Sequence, residues 1–340
     1  MRMLKRAVLG VAGLILVLAI GGLFLPNSAH VERSLVIDAP ASVLYAHYAD
    51  LRRFNAWSPW AAQDAQAVYS YVGPMRGRGQ VLRWDGPTVG SGSQTITLAE
   101  PYSRIEVALD FGQQGTATSN FTLEPDAGGT LVTWAFDTDF GFDLFGRYMG
   151  LLMDRWVGSD YETGLGNLAE LVATLPRVDF APLDYQFTEV SAVLVAAATG
   201  SSSTDHDAAR AAVAEAWARV SHYMAVNDLT EVGPLMALTT SRDGASDRYE
   251  FEAAIPIDRV PSLRSDSDTS GVRVGQTYAG AALQVAHDGT ADDLPTTYAR
   301  AESLLASYGL TVTDRRFEEY RAVDGERDAY EVALIYFPLE

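Results

Sequence analysis

Two adjacent carboxylates sit in a short run near the C-terminus, Phe317-Glu318-Glu319-Tyr320. Neighbouring side chains of a strand point to opposite faces, so Glu318 and Glu319 cannot both look inward. A carboxylate held among aromatic and aliphatic walls is expensive to desolvate unless paired, and so either takes a proton or attracts a cation. The first behaviour suits a general acid or base. The second suits binding of a lipophilic cation, helped by rings such as Tyr249, Tyr278, Tyr320 and Trp217. The plain alternative is an exposed strand face on which Glu318 or Glu319 pairs with Arg315, Arg316 or Arg321.

Other routes to chemistry are thinner. The histidines His30, His47, His206, His222 and His287 form no helical i, i+4 pair and the chain has no cysteine, which leaves zinc ligation, a thiolate nucleophile and a disulfide framework without support. His287, ahead of Asp288-Gly289, reads as a loop hydrogen-bonding residue. Asp137, Asp139 and Asp143 alternate with Phe136, Phe140 and Phe142 and read as a solvated loop rather than a metal site. Met149 and Met153 read as core filling. Spacing leaves a Ser-His-Asp arrangement open, but there is no Gly-x-Ser-x-Gly elbow, and Val89-Gly90-Ser91-Gly92-Ser93 lacks the helix and lysine of a phosphate loop. Nothing here calls for a metal or a cofactor. Trp57, Trp84 and Trp134, with Trp60, are either the lining of a cavity or plain core.

The chain that must position these groups has 340 residues, enough for two cores, with 48% hydrophobic and 20% charged residues. Three of its 25 basic residues, Arg2, Lys5 and Arg6, lie in the first six positions, so the remainder sets 22 bases against 44 acids. That body is a poor partner for nucleic acid or an anionic lipid surface. Residues 7–25 carry no charged side chain, and a helix of that length, at about 1.5 Å per residue, matches a ~30 Å hydrocarbon core. The expectation is a transmembrane anchor with a cytoplasmic N-terminus and an extracytoplasmic, periplasmic body. A cleaved form secreted to the periplasm is the alternative, although Asn27-Ser28-Ala29 makes a poor cleavage site.

After this anchor (residues 1–29), a strand over 31–37 and a short helix over 40–50 lead into strands at 79–84, 93–99, 104–111, 117–124 and 130–136. Asp126-Ala127-Gly128-Gly129 marks a hairpin turn. Residues 144–175 then turn helical, with Leu152, Trp156, Leu165 and Leu168 on one broad face. The stretches Val31-Glu32-Arg33-Ser34-Leu35-Val36-Ile37-Asp38-Ala39-Pro40, Asn55-Ala56-Trp57-Ser58-Pro59-Trp60 and Gly129-Thr130-Leu131-Val132-Thr133-Trp134 carry a resemblance, over residues 30–175, to the SRPBCC superfamily of START-like, polyketide-cyclase-like domains. It implies a helix-grip fold: an antiparallel sheet with a long C-terminal helix and a cavity between them. Pro176 and Pro182 bound a linker over 176–182.

The remainder says the same thing twice. Tyr249-Glu250-Phe251-Glu252-Ala253-Ala254-Ile255-Pro256-Ile257 is echoed by Tyr330-Glu331-Val332-Ala333-Leu334-Ile335-Tyr336-Phe337-Pro338-Leu339, and each closes a strand-helix-strand-strand unit. The first unit reads as a strand over 185–197, a helix over 206–225 and strands over 235–239 and 249–257. The second reads as 275–286, a helix over 291–308 ending at Gly309, and strands over 311–321 and 329–338, after a polar crossover at 261–271. The class is therefore α+β, and the seam of a duplicated sheet is a natural ligand cleft.

Val232-Gly233-Pro234, Tyr249-Glu250-Phe251-Glu252, Thr277-Tyr278-Ala279, His287-Asp288-Gly289 and Phe317-Glu318-Glu319-Tyr320 make residues 183–340 resemble the GyrI-like small-molecule-binding domain, also the effector domain of AraC-type and MerR-type regulators. The resemblance implies that Glu318 is the glutamate that looks into the ligand cleft. It departs at Gly289-Thr290, where the family has Gly-Pro, and there is no helix-turn-helix to carry a regulator role. The leading expectation is a non-catalytic binding protein for small hydrophobic ligands, lipophilic cations included, with Glu318, Tyr320, Tyr249, Tyr278, Trp217, Trp57, Trp84 and Trp134 as contacts. The alternatives are a hydrolase of a reactive small molecule with Glu318 as general acid or base, and an envelope scaffold for a protein partner.

Overall fold

The computed structural model describes residues 2–261, 271–313, 315–323 and 330–340. The chain forms two compact units, the first of residues up to Ala181 with Ala306–Tyr308 and the second of Pro182–Leu305 with Gly309–Glu340.

In the first unit, β1 (Ser28–Ile37) is followed by the short helices α2 (Ala41–Ala49), α3 (Leu51–Phe54) and α4 (Pro59–Gln63). Strands β2 (Val68–Val72), β3 (Val81–Gly86), β4 (Gly90–Glu100), β5 (Arg104–Asp110), β6 (Thr116–Asp126) and β7 (Gly129–Asp139) then lead to the long helix α5 (Leu144–Ala173). The seven strands form one antiparallel sheet in the order β1-β7-β6-β5-β4-β3-β2. Strands β2 to β7 are the meander that successive strand-length runs imply, whereas β1 crosses to pair with β7. The hairpin at Asp126 is as expected: Asp126 pairs with Gly129, the Gly128 N–H donates to the Asp126 carboxylate at 3.0 Å, and Gly129 sits at φ +132, where a side chain would be strained. Asp143 begins α5 by accepting from the Phe145 N–H at 3.1 Å.

Among the described residues no helix is long and apolar enough to cross a membrane, so the transmembrane segment expected over 7–25 is not supported. The helix found there, α1 (Arg2–Leu23), opens on Arg2, Lys5 and Arg6. Its far end is tied to α5, where Tyr148 donates to the Leu18 carbonyl at 2.9 Å and the Arg147 guanidinium donates to the carbonyls of Gly22, Leu23 and Leu25, each at 3.3 Å.

In the second unit, β8 (Tyr185–Val190), β9 (Leu194–Ser202), α6 (His206–Val226), β10 (Leu235–Asp243) and β11 (Arg248–Pro256) form the first copy. The second copy is β12 (Val272–Gln276), β13 (Gly280–Ala286), α7 (Leu294–Tyr308), β14 (Phe317–Ala322) and β15 (Tyr330–Pro338). They make one eight-stranded antiparallel sheet in the order β12-β9-β11-β10-β14-β15-β13-β8, with the copies meeting where β10 pairs with β14. The runs 185–197 and 275–286, each read as one strand, are each broken in two. The leading pieces are exchanged, β8 to the edge of the second copy and β12 to the edge of the first. The breaks hold each other: Val193 N–H donates to Thr277 Oγ1 at 2.9 Å and Thr277 N–H to the Val193 carbonyl at 3.0 Å. Strand β14 starts later than expected, because Val312 forms an isolated bridge with Leu339 instead. Most of the expected crossover (262–270) lies outside the described residues, as does Ala329.

Helix α6 buries Val213, Ala216, Trp217, Val220 and Met224 on one stripe against the sheet, beginning at Asp205, whose carboxylate accepts from the Ala208 N–H at 3.0 Å. Gly309, at φ +62, follows α7 in the left-handed conformation of a helix C-cap.

Candidate functional site

The seam of the second unit holds a pocket of about 330 Å³ between the sheet and the starts of α6 and α7. Glu318 faces it from β14, paired with Ala237 of β10 and Ile335 of β15, and only 8% exposed. Strand alternation puts Tyr320 on the same face and Glu319 on the other. Both Glu318 oxygens are occupied: Tyr320 donates to Oε2 at 2.5 Å and Tyr298, from α7, donates to Oε1. Burial, then the Glu318 charge, raises both phenols well above their usual 10, so they stay protonated donors. Burial and the same charge push Tyr249, also lining the pocket, up to about 12.

No basic side chain among the described residues forms an ion pair with Glu318. Arg321 pairs instead with Glu331 at 2.8 Å, and Arg316 lies over the Tyr298 ring at 4.7 Å and reaches Glu302 at 3.8 Å. On the opposite sheet face Glu319 accepts from Tyr336 at 3.3 Å, and desolvation raises its carboxyl above the usual range.

Three of the ring residues expected at this pocket are placed differently from one another. Tyr249 lines it. Trp217 stands behind Tyr320, ring edge to face at 4.8 Å, and donates to the Met236 carbonyl at 2.9 Å, so it braces the wall rather than forming it. Tyr278 is a correction: at the β12–β13 break it packs with Phe317 and Tyr336 on the other face, its hydroxyl donating to the Ala281 carbonyl at 2.9 Å. The sequence reading missed Tyr298 as a partner of Glu318, and missed Arg210 and Arg242 at the pocket, with Arg242 over Tyr249 at 5.5 Å. The sequence signal for Tyr298 is its place in the helical stripe Leu294, Tyr298, Ala301, Leu304 and Leu305, which turns it inward. His287 does bond locally, to Thr297 Oγ1 at 3.0 Å and the Thr290 carbonyl at 3.1 Å, while also edging the pocket. Thr290, where the resembling family has proline, uses its N–H on Asp293 at 2.9 Å, a bond proline could not make.

The first unit holds a second cavity, about 380 Å³, between sheet and α5. Trp84 and Trp134 line it, with Trp60 and Tyr161. Trp134 stacks on Tyr161 at 3.8 Å and donates to Ser119 Oγ at 2.9 Å. Trp57 is a correction. At 1% exposure it lies behind Trp134, edge to face at 5.1 Å, with its N–H on the His47 carbonyl at 3.2 Å, and is core rather than lining. The three aspartates of the 137–143 stretch each have a structural partner: Asp137 meets His30 at 2.6 Å, Asp139 accepts from the Gly141 N–H at 2.8 Å, and Asp143 begins α5. No metal-holding cluster occurs among the described residues.

A sheet gripping one long helix, followed by a duplicated sheet with a pocket on its seam, defines a pair of small-molecule-binding domains. Residues 28–173 match the family of polyketide cyclases, dehydrases and lipid transport proteins, and residues 183–340 match the GyrI-like small molecule binding domain, so both resemblances hold. Among solved structures the chain is similar to the C-terminal domain of EcmrR, at 16% identity and a TM-score of 0.39, over 47% of this chain and 98% of that one. It is also similar to protein CV1439 from Chromobacterium violaceum (19%, TM-score 0.30, 43% of this chain and 98% of that one). A third is truncated norcoclaurine synthase from Thalictrum flavum (11%, TM-score 0.34, 43% and 94%). No curated protein matches the sequence significantly.

Proposed function

We propose that this protein binds small, largely apolar molecules without transforming them, and that its second domain prefers those bearing a cationic group. The observation that carries the reading is Glu318: a buried carboxylate in an aromatic-walled pocket, fixed by two phenol donors and without an ion-pair partner among the described residues. A buried negative charge beside the rings of Tyr249, Tyr320 and Tyr330 favours a cation whose remaining surface is apolar, while Arg210, Arg242 and Glu331 also line the pocket. The hydrolase reading is less well supported, because two phenol donors stabilise the Glu318 carboxylate and so weaken it as a general base.

Phenyltrimethylammonium and its uncharged isostere tert-butylbenzene test this directly by calorimetric titration. The cation should bind the wild-type protein at least tenfold more tightly, about 1.4 kcal/mol, and Glu318→Gln should bring the two together. Equal affinity for both in the wild-type protein would remove the charge reading.

A further inference from the structure

The pocket on the seam of the second unit carries charge of both signs. Glu318 lies in its sheet wall, and Arg210 of α6 and Arg242 of β10 line it as well. Neither arginine forms an ion pair among the described residues. The other carboxylate of the lining, Glu331, is taken by Arg321 at 2.8 Å. In a chain of 44 acidic against 25 basic residues, two arginines at one pocket with no acid paired to them run against the composition. One negative and two positive charges, none of them in an ion pair, therefore share one enclosure.

The backbone of β10 is irregular where it brings Arg242 in. Ala237, the neighbour of Glu318, and Thr239, opposite Phe251, share the pocket face of the sheet. Regular alternation from there would turn Ser241 to the pocket and Arg242 away from it. Instead the register shifts between Thr239 and Ser241, and Arg242 comes to lie opposite Tyr249, on the pocket face. A bulge of this kind re-aims a side chain. Arg242 is then held by the Thr204 carbonyl, to which it donates at 3.2 Å, and by the Tyr249 ring, 5.5 Å from its guanidinium carbon. Tyr249 stands within reach of both poles: burial and the Glu318 charge push its phenol up, while Arg242 and Arg316 pull it down.

We propose that the guest of this pocket is a zwitterion, an amphipathic molecule whose cationic group meets Glu318 and whose anionic group meets Arg210 and Arg242. The inference rests on the reading of Glu318 as a cation-selecting charge and adds the second pole of its ligand. A cation with no acid is attracted by Glu318 but repelled by two guanidiniums, and an anion alone meets the reverse conflict. A molecule bearing both groups answers every charge of the wall. Each guanidinium offers a planar fork of donors that suits a carboxylate. The rings of Tyr249, Tyr320 and Tyr330 suit an apolar middle between the two poles. Arg210 and Arg242 thus act as specificity-determining residues, separating zwitterions from plain lipophilic cations.

The test uses 4-[4-(trimethylammonio)phenyl]butanoate, whose flexible chain lets the carboxylate find the arginines, and its methyl ester, which keeps the cation and the shape but loses the acid. Both are titrated calorimetrically into the full-length protein, with phenyltrimethylammonium as the reference cation. Wild type should bind the acid roughly 3- to 10-fold more tightly than the ester. Arg210→Gln and Arg242→Gln alter exposed side chains and spare the core. Each should weaken the acid and tighten the ester, because a repelling charge is gone, and the double variant should abolish the difference. Glu318→Gln should weaken acid and ester together and keep the acid ahead. An acid bound no better than its ester by wild type, or an advantage that survives the double variant, overturns the zwitterion and leaves the cation preference standing. Failure of the ester and phenyltrimethylammonium to bind at all overturns the cation reading, and the zwitterion with it.

Discussion

The two cavities are of similar volume and both are aromatic, yet they are finished differently. In the first unit the carboxylate that lines the cavity, Asp160, accepts from Trp60 and Gln63, and Ser119 links Trp134 to Tyr161. In the second a full negative charge is built into the wall and held by two hydroxyls. The same apolar enclosure thus serves opposite ends. Under the function proposed above, the first cavity selects by shape, whereas the second, with the Glu318 carboxylate held in its wall, selects by the sign of the guest.

The largest way to break this comparison is to collapse one side. Trp134→Ala removes a side chain that is 1% exposed and stacked on Tyr161, and should destabilise the first unit by about 3–5 kcal/mol in urea unfolding. Phenyltrimethylammonium binding should survive it; loss of cation binding would show that the two sites are not separate.

Acid sharpens the same contrast. His47 is fully buried, and desolvation lowers its pKa from 6.5 to about 4. Above pH 6.5 the imidazole is neutral both folded and unfolded. Between 6.5 and about 4 the unfolded chain takes up a proton that the folded chain refuses, so stability falls as pH falls, by up to about 3 kcal/mol. Measured across this window, a His47→Leu protein should lose stability with a shallower slope than wild type. Identical slopes would contradict the assignment.

Tyr320→Phe deletes one phenol donor to Glu318 and should cost about 1–2 kcal/mol of stability, with cation preference retained because the charge remains. Glu319→Gln has the smallest effect. Its carboxyl, raised by desolvation, favours the protonated form in the fold, so its ionisation opposes folding as pH rises above 4.5. The amide variant should be slightly more stable at neutral pH and indistinguishable below pH 4.5 by thermal melting.

Much of this architecture is legible in the sequence because it is written locally. The Asp126–Gly129 hairpin is a turn signal, the α6 stripe is a period, and Glu318 and Glu319 part company by alternation alone. Strand exchange is not local. Residues 185–197 form one apolar run, and what breaks it is a pair of hydrogen bonds to Thr277, far along the chain. Tyr278 was misplaced for the same reason, since alternation loses its phase at a break. Helical spacing puts Tyr298 on the inward face of α7, but periodicity assigns a side chain to a face and says nothing of what its hydroxyl meets. Trp57 and Trp134 look alike in sequence. They differ because Trp57 has its N–H on a carbonyl of α2 inside the core, whereas Trp134 hangs from the sheet beneath the cavity.

The central claim is that one chain carries two sites of different charge preference. The most direct measurement titrates phenyltrimethylammonium into protein already saturated with an uncharged aromatic fluorophore, an acylated dimethylaminonaphthalene, for wild type, Glu318→Gln and Trp134→Ala. The account predicts that wild type binds both probes at once, that Glu318→Gln loses only the cation, and that Trp134→Ala weakens only the uncharged fluorophore. Mutual displacement of the probes, or a single substitution that abolishes both, would contradict it.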